Sequence, residues 1–279
     1  MIDLNNANAD VFVPDGTSAD AALKRTTHLG IGAHQDDLEF MALHGILQCF
    51  GRQDRWFCGA VVTNGAGSSR SGIYERYSDE EMCGVRRLEQ RNAAVIGQYG
   101  AMVQLDYPSS AVKEDDQQNV VEDLYKLFAV ARPDVVYTHN PADKHATHVG
   151  VCRAVVKALR RLPAQNRPKK LLGCEIWRDL DWLPDSLKVV LNVSERANIA
   201  SSLSGVFDSQ ITGGKRYDEA IAGRRKAHAT FFESHNVDES NALSFAMDMM
   251  PLLQNDGLST ADFVSGLIEA FKSEVLAQV

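Results

Sequence analysis

Cysteine is scarce and odd in number: 5 in 279 residues, at Cys49, Cys58, Cys83, Cys152 and Cys174, with no CxxC among them. In a chain of this length that pattern argues against a disulfide framework and against a cysteine-built zinc knot, so these residues are expected in the core as small apolar groups. Long apolar runs are missing too. No stretch approaches the roughly 20 apolar residues that cross a bilayer. The first 15 residues are polar and acidic, without the basic start and apolar run of a signal peptide. The expectation is a cytoplasmic chain with no membrane span. Positive charge is in deficit, with 29 Lys and Arg against 37 Asp and Glu and a net charge of -8. That removes the electrostatic case for a nucleic-acid partner, since phosphate binding needs a basic face. The basic groups at Arg160-Arg161, Lys169-Lys170 and Arg224-Arg225-Lys226 read as solvated helix ends and faces. Internal repeats and low-complexity tracts are also absent.

The apolar content, 44%, is enough to fill a core, and the length suits one α/β domain spanning residues 1–279. Residues 1–24 read as an arm over the surface. Short apolar runs at 27–33, 56–63, 101–105 and 134–138 read as strands, and periodic stretches at 38–50, 79–98, 117–131 and 147–162 as the helices between them. Further strands are expected near 171–177 and 188–193, and helices near 195–207, 216–233 and 259–276. This alternation predicts an α/β fold, Rossmann-like, with a mostly parallel sheet and helices on both faces.

Open sheets of this kind bind ligands beyond the carboxyl ends of their strands. Two polar clusters follow strand ends here: His34-Gln35-Asp36-Asp37-Leu38-Glu39 after the first strand, and the run from His139 to His148 after the fourth. His34 and Asp37 are three apart at a strand-to-helix turn, and His145 and His148 three apart at a helix start, a spacing that puts side chains on one face. Two histidines and a carboxylate form a three-ligand metal site with an open position for water. In this assignment His34, Asp37 and His148 are the ligands. Asp36 is the general base, and His145 stabilises the oxyanion and protonates the leaving amine. Helix capping by the aspartates is the plainer explanation of the first cluster. Its coincidence with histidines at a second strand end favours the metal. Zinc is the expected ion, and the same donors accept iron, cobalt or manganese.

Those residues also carry a resemblance. Ala33-His34-Gln35-Asp36-Asp37-Leu38-Glu39 resembles the AHPDDxE signature of the PIG-L/LmbE-like deacetylases. Asn140-Pro141-Ala142-Asp143-Lys144-His145-Ala146-Thr147-His148 resembles that family's later HPDH-type segment. Arg86-Arg87-Leu88-Glu89, followed by Ala93-Ala94 and Ile96-Gly97, resembles its RxxE…AA…LG helix. The likeness covers roughly residues 27–160 and is thin beyond. It implies a Rossmann-like fold and a zinc-dependent removal of N-acetyl groups from N-acetylglucosaminyl compounds. It carries the metal-ligand roles onto His34, Asp37 and His148, the base onto Asp36, the acid onto His145, and a substrate contact onto Arg86. Two positions depart from the motif. Gln35 replaces a proline, leaving the turn less pre-set in φ. Thr147 replaces an aspartate that would orient the acid histidine, a part for which Asp143 is the substitute on hand.

Other residues weigh less. The basic, polar stretch from Gly213 to His235 is a candidate cleft lining, with His235 or Arg225 reaching substrate. His139 is a candidate neighbour of the metal. The loop 65–72 is rich in Gly and Ser but lacks the P-loop lysine, and is either a sugar-binding loop or a plain connector. The competing functions are an amidase of a larger sugar or thiol conjugate, and a non-catalytic metal- or sugar-binding protein. A nucleotide-binding protein is excluded, because the first turn offers carboxylates where phosphate needs amide donors. The expected partner is a small N-acetylated sugar or conjugate. A homo-oligomer stays open.

Overall fold

The computed structural model describes residues 2–113, 117–233 and 235–279. Eight strands form one sheet: β1 (Asp10–Phe12), β2 (His28–Gly32), β3 (Phe57–Thr63), β4 (Ala101–Tyr107), β5 (Val135–His139), β6 (Lys170–Cys174), β7 (Lys188–Asn192) and β8 (Leu243–Asp248), in the order β1-β4-β3-β2-β5-β6-β8-β7. The helices are α1 (Ala19–Lys24), α2 (Asp37–Met41), α3 (Leu43–Cys49), α4 (Asp79–Ile96), α5 (Ser110–Lys113), α6 (Gln118–Ala131), α7 (Ala146–Arg160), α8 (Ala197–Gly205), α9 (Asp208–Ile211), α10 (Tyr217–Phe231), α11 (Pro251–Gln254) and α12 (Thr260–Leu276). None of the helices is long and apolar enough to cross a membrane, among the described residues.

The five central strands, β4-β3-β2-β5-β6, are mutually parallel, as the alternation of strand and helix predicts. The chain leaves β2 first to one side, toward β3 and β4, and then to the other, toward β5 and β6. The strand order therefore reverses between β2 and β5, which opens a crevice at their carboxyl ends. Residue alternation sorts the two faces. Leu29, Ile31, Cys58, Ala60 and Val62 point into one apolar layer with Leu124, Phe128, Val151 and Val155 of α6 and α7. Phe57, Val61 and Met102 point into the other, with Leu38, Met41 and Ile46 of α2 and α3.

Small strand residues bring α2 close to the sheet. A Cβ on Gly30 would lie 2.9 Å from a Leu38 methyl, and one on Gly59 would lie 2.7 Å from the other. Leu38 therefore sits in a slot made by two glycines, and it holds the start of α2 against the end of β2.

The structure departs from the sequence reading in three places. The arm at 1–24 contains β1, antiparallel to β4, and α1, capped by Ser18; a three-residue strand is too short to show a period. The helix expected at 38–50 divides at Ala42 into α2 and α3. An eighth strand, β8, was not expected. It lies antiparallel between β6 and β7 and follows a polar stretch that hides its short alternation. All five cysteines are free, and all but Cys83 are buried.

Filling the Leu38 slot should destabilise the fold. Gly59→Val should lower stability by about 1–3 kcal/mol through overpacking, read as a lower urea midpoint with an unchanged slope. An unaltered midpoint would mean that Leu38 has room to move.

Candidate metal centre and catalytic pocket

His34 and the two aspartates after it form the turn from β2 into α2. Asp36 has φ 94°, a left-handed conformation that costs a residue with a Cβ. The turn is held from behind by α4. The Arg86 guanidinium donates to the carbonyl of Gln35 and, at 3.0 Å, to the Asp36 carboxylate. Gln90 Oε1 accepts the Asp36 backbone N–H at 3.2 Å. Gln35, where the family motif has proline, anchors the same turn differently, because its side-chain amide donates to the carbonyl of Thr63 at 3.0 Å.

Asp37 is 3% exposed and its two oxygens are used unequally. Oδ2 accepts the backbone N–H of Ala33 at 2.9 Å and of His34 at 2.7 Å, with His139 Nε2 3.2 Å away. Oδ1 faces His148 Nε2 at 3.5 Å. Burial opposes the charge on Asp37, but the His148 and His139 rings outweigh it and hold the carboxyl well below its usual range.

His148 is fully buried near the start of α7. Its Nδ1 lies 3.3 Å from Asp143 Oδ2, which leaves Nε2 as the atom aimed at His34 Nδ1, 3.3 Å away. Burial, helped by the neighbouring His139, pushes the ring down to about 4, so it is neutral near pH 7. One carboxylate oxygen and two ring nitrogens, from His34, Asp37 and His148, thus lie within 4.8 Å of one another. With Asp143 accepting a hydrogen bond from Nδ1 of His148, its Nε2 is left as a lone pair beside His34 Nδ1 and Asp37 Oδ1. This donor set fits a divalent cation of borderline softness. A ligand histidine whose far nitrogen meets a carboxylate is also how proteins orient such rings.

Asp143 does not touch the ring of His145. Its carboxylate accepts the backbone N–H of His145 at 3.0 Å and of Trp177 at 3.2 Å, besides meeting His148. The residue expected to orient His145 therefore orients His148. His145 Nδ1 and Thr147 Oγ1 are both buried without a hydrogen-bond partner among the described residues. The His145 ring stacks at 5.9 Å on Trp177, and burial, then the charge of His34, lowers its pKa. Asp36 moves the other way. Burial raises it to about 7, with Arg86 opposing and Asp37 adding to the rise.

These groups form the floor of a cavity of about 630 Å³. His34, Asp36, Asp37, His145 and Arg86 reach it, with His148 just beneath. Arg86 is 1% exposed, and besides the turn its guanidinium holds Glu89 at 3.0 Å and Ser209 at 3.2 Å. Little of it is left for a substrate. Gly65, Gly67, Ser68 and Ser69 of the glycine-rich loop form part of the wall, as do Lys215, Tyr217 and Arg224 from the stretch after Gly213. Arg225 lies behind the wall, donating to the carbonyls of Glu39 and Phe40 at 2.9 Å. His235 is exposed and apart from the cavity. Sequence reasoning did not single out Trp177 or Lys144, and it held Tyr217 only as part of the stretch from Gly213 to His235. Trp177 follows a parallel strand's carboxyl end, which is the one signal that pointed to it.

The family described as PIG-L, GlcNAc-PI de-N-acetylase, matches residues 29–159. A relative from Escherichia coli, the uncharacterized deacetylase YaiS, is 28% identical over 155 residues, or 54% of this chain and 77% of that protein. The fold is similar to N,N'-diacetylchitobiose deacetylase from Pyrococcus horikoshii, with a TM-score of 0.65 at 14% identity over 82% of this chain and 86% of the other. It is also similar to GalB, the 4-carboxy-2-hydroxymuconate hydratase of Pseudomonas putida, with a TM-score of 0.62 at 16% identity over 80% and 96%. At these identities the structural likenesses speak to the fold. Residues 29–159, which match the PIG-L family model, contain nearly all of β2, all of β3 to β5, and every residue from His34 to His148 that builds the cluster.

Proposed function

We propose that this chain is a zinc-dependent hydrolase of a C–N bond other than a peptide bond, removing an N-acetyl group from an amino-sugar compound. The observation that carries the reading is the convergence of three lone pairs, on His34, Asp37 and His148, beside the buried carboxylate of Asp36. The family match and the deacetylase relative support the same reaction class.

His34, Asp37 and His148 would hold the ion. When bound, it polarises the acyl carbonyl and acidifies water. Asp36, on the same turn as two of these residues, takes a proton from the attacking water. Its raised pKa, about 7, suits a group that accepts and then releases a proton near neutrality. Arg86 and Gln90 keep that carboxylate in place through the turn. His145, on the pocket wall, faces the oxygen that gains charge and gives a proton to the nitrogen as the C–N bond breaks. The products are acetate and a free amine. Asp143 keeps His148 in the tautomer that leaves Nε2 unprotonated. A cavity of this volume also admits a larger conjugate, so an amidase of a bigger sugar or thiol compound shares these atoms.

Two measurements test the reading. Zinc-loaded protein should release free amine from N-acetylated amino sugars. Asp36→Ala should retain the metal and lose about 10²–10⁴-fold in rate; equal rates in the two proteins would remove Asp36 from the chemistry. Chelation should abolish turnover and lower the melting temperature, and His148→Ala should abolish that thermal response to zinc. A wild-type protein that binds no divalent metal at all would undo the proposal.

A further inference from the structure

His139 is the histidine of the second polar cluster that the proposed reaction does not use. It closes β5, and the chain is fixed on both sides of it. Thr138 Oγ1 donates to the carbonyl of Ile31 in β2 at 3.1 Å. The Asn140 backbone N–H and side-chain amide both donate to the carbonyl of Cys174 in β6, at 3.0 and 2.9 Å. A ring carried on so rigid a strand end is held in one place. It is 0% exposed, and its Nδ1 has no hydrogen-bond partner among the described residues. Packing alone would be served better by an apolar side chain of the same size, which leaves no polar atom unmet.

The other ring nitrogen, Nε2, lies 3.2 Å from Asp37 Oδ2. The Ala33 backbone N is 2.9 Å from that oxygen and 2.9 Å from Nε2 as well. The surrounding contacts decide which nitrogen carries the proton. A bare Nε2 would set its lone pair against those of a carboxylate oxygen, and Nδ1 would hold a proton with no acceptor. With the proton on Nε2, the ring and Ala33 both donate to Oδ2, and only the Nδ1 lone pair goes unmet. Oδ2 then meets donors from Ala33, His34 and His139, which occupy its lone pairs. Oδ1, 3.5 Å from His148 Nε2, is the oxygen left for a cation.

His139 does not form a second ion site. His139, Asp143 and His148 also offer atoms within 4.8 Å of one another. The two histidine rings, however, stack at 4.0 Å with planes 15° apart. A lone pair on a ring nitrogen lies in the ring plane, so these two run nearly parallel and do not converge on one ion.

We infer, on the reading of His34, Asp37 and His148 as the metal ligands, that His139 is a positioning residue of the metal centre: its Nε2–H holds Asp37 Oδ2 and keeps Oδ1 turned to the ion. A carboxylate can rotate about its last bond and exchange its oxygens. A donor fixed by two neighbouring strands completes what the two backbone N–H groups begin, and one oxygen is selected.

Zinc affinity, measured by competition with a chromophoric chelator, tests this without a substrate. His139→Phe keeps an aromatic ring against His148 and loses the donor. Its zinc affinity should fall about 10–100-fold, the range for losing a hydrogen bond behind a metal ligand. His139→Gln loses the ring and returns an amide donor, and should recover most of that affinity. A role in packing alone gives the reverse order, because phenylalanine preserves the stack and glutamine does not. In wild-type protein with nitrogen-labelled histidine, assigned through its backbone resonances, nuclear magnetic resonance should find a proton on His139 Nε2, with and without zinc. That reading stands even if a variant fails to fold. A Phe variant with wild-type affinity, a Gln variant no better than Phe, or a bare Nε2 overturns the inference and leaves the metal centre standing. The expected order of affinities in a protein that deacetylates nothing supports the inference and counts against the reaction alone. A protein that takes up no zinc removes the centre and the positioning role together.

Discussion

The left-handed turn at Asp36 is the constraint on which the rest of the site depends. An L-residue at φ 94° does not hold that conformation by itself. Here it is over-determined from three sides: Leu38 locked into the glycine slot of the sheet, Gln90 on the backbone N–H, and Arg86 on the preceding carbonyl and the carboxylate. The same turn delivers two aspartates with opposite duties. Asp37 points at the histidines and stays ionised. Asp36 points into the cavity and titrates near neutrality because it is buried beside another acid. Two adjacent carboxylates would otherwise compete; Arg86 opposes the rise at Asp36, while His148 and His139 hold Asp37 down.

The sheet supplies the second half of the centre. Strand order reverses between β2 and β5, so the ends of these two neighbours open onto a common crevice. One strand brings His34 and the aspartates. The other leads through His139 into the loop that carries Asp143, His145 and His148. His139 and His148 stack at 4.0 Å, which packs the two segments face to face. The wall of the cavity is added by the later part of the chain, chiefly the segment after β6 and the start of α10. The family match ends at residue 159, so it takes in the part of the wall made by Gly65, Ser68, Ser69 and Lys144 but not the part made by Trp177, Lys215, Tyr217 and Arg224.

Much of the fold was legible because its central strands are buried on both faces and read as plain apolar runs. The arm at 1–24 and strand β8 were not, since a three-residue edge strand and a short strand after polar sequence lack the repeats that reveal a period. In the site, spacing and the motif pointed to His34, Asp37 and His148, and the structure brings them together as they were expected to lie. Arg86 is also there, but it contacts protein where a substrate contact was expected. His235 is apart from the cavity. Its polarity and basic surroundings were real, yet exposure on a surface segment produces the same pattern as a cleft.

By itself the sequence determined the chemistry on offer: which donors follow which strand ends, and that a parallel sheet would gather them. Only the tertiary structure decided how those groups are paired. Hydrogen bonds and burial belong to pairs of atoms from distant segments, and no local pattern contains them. That is why Asp143 serves His148 and not the nearer His145, and why the pKa of Asp36 rises while that of its neighbour falls.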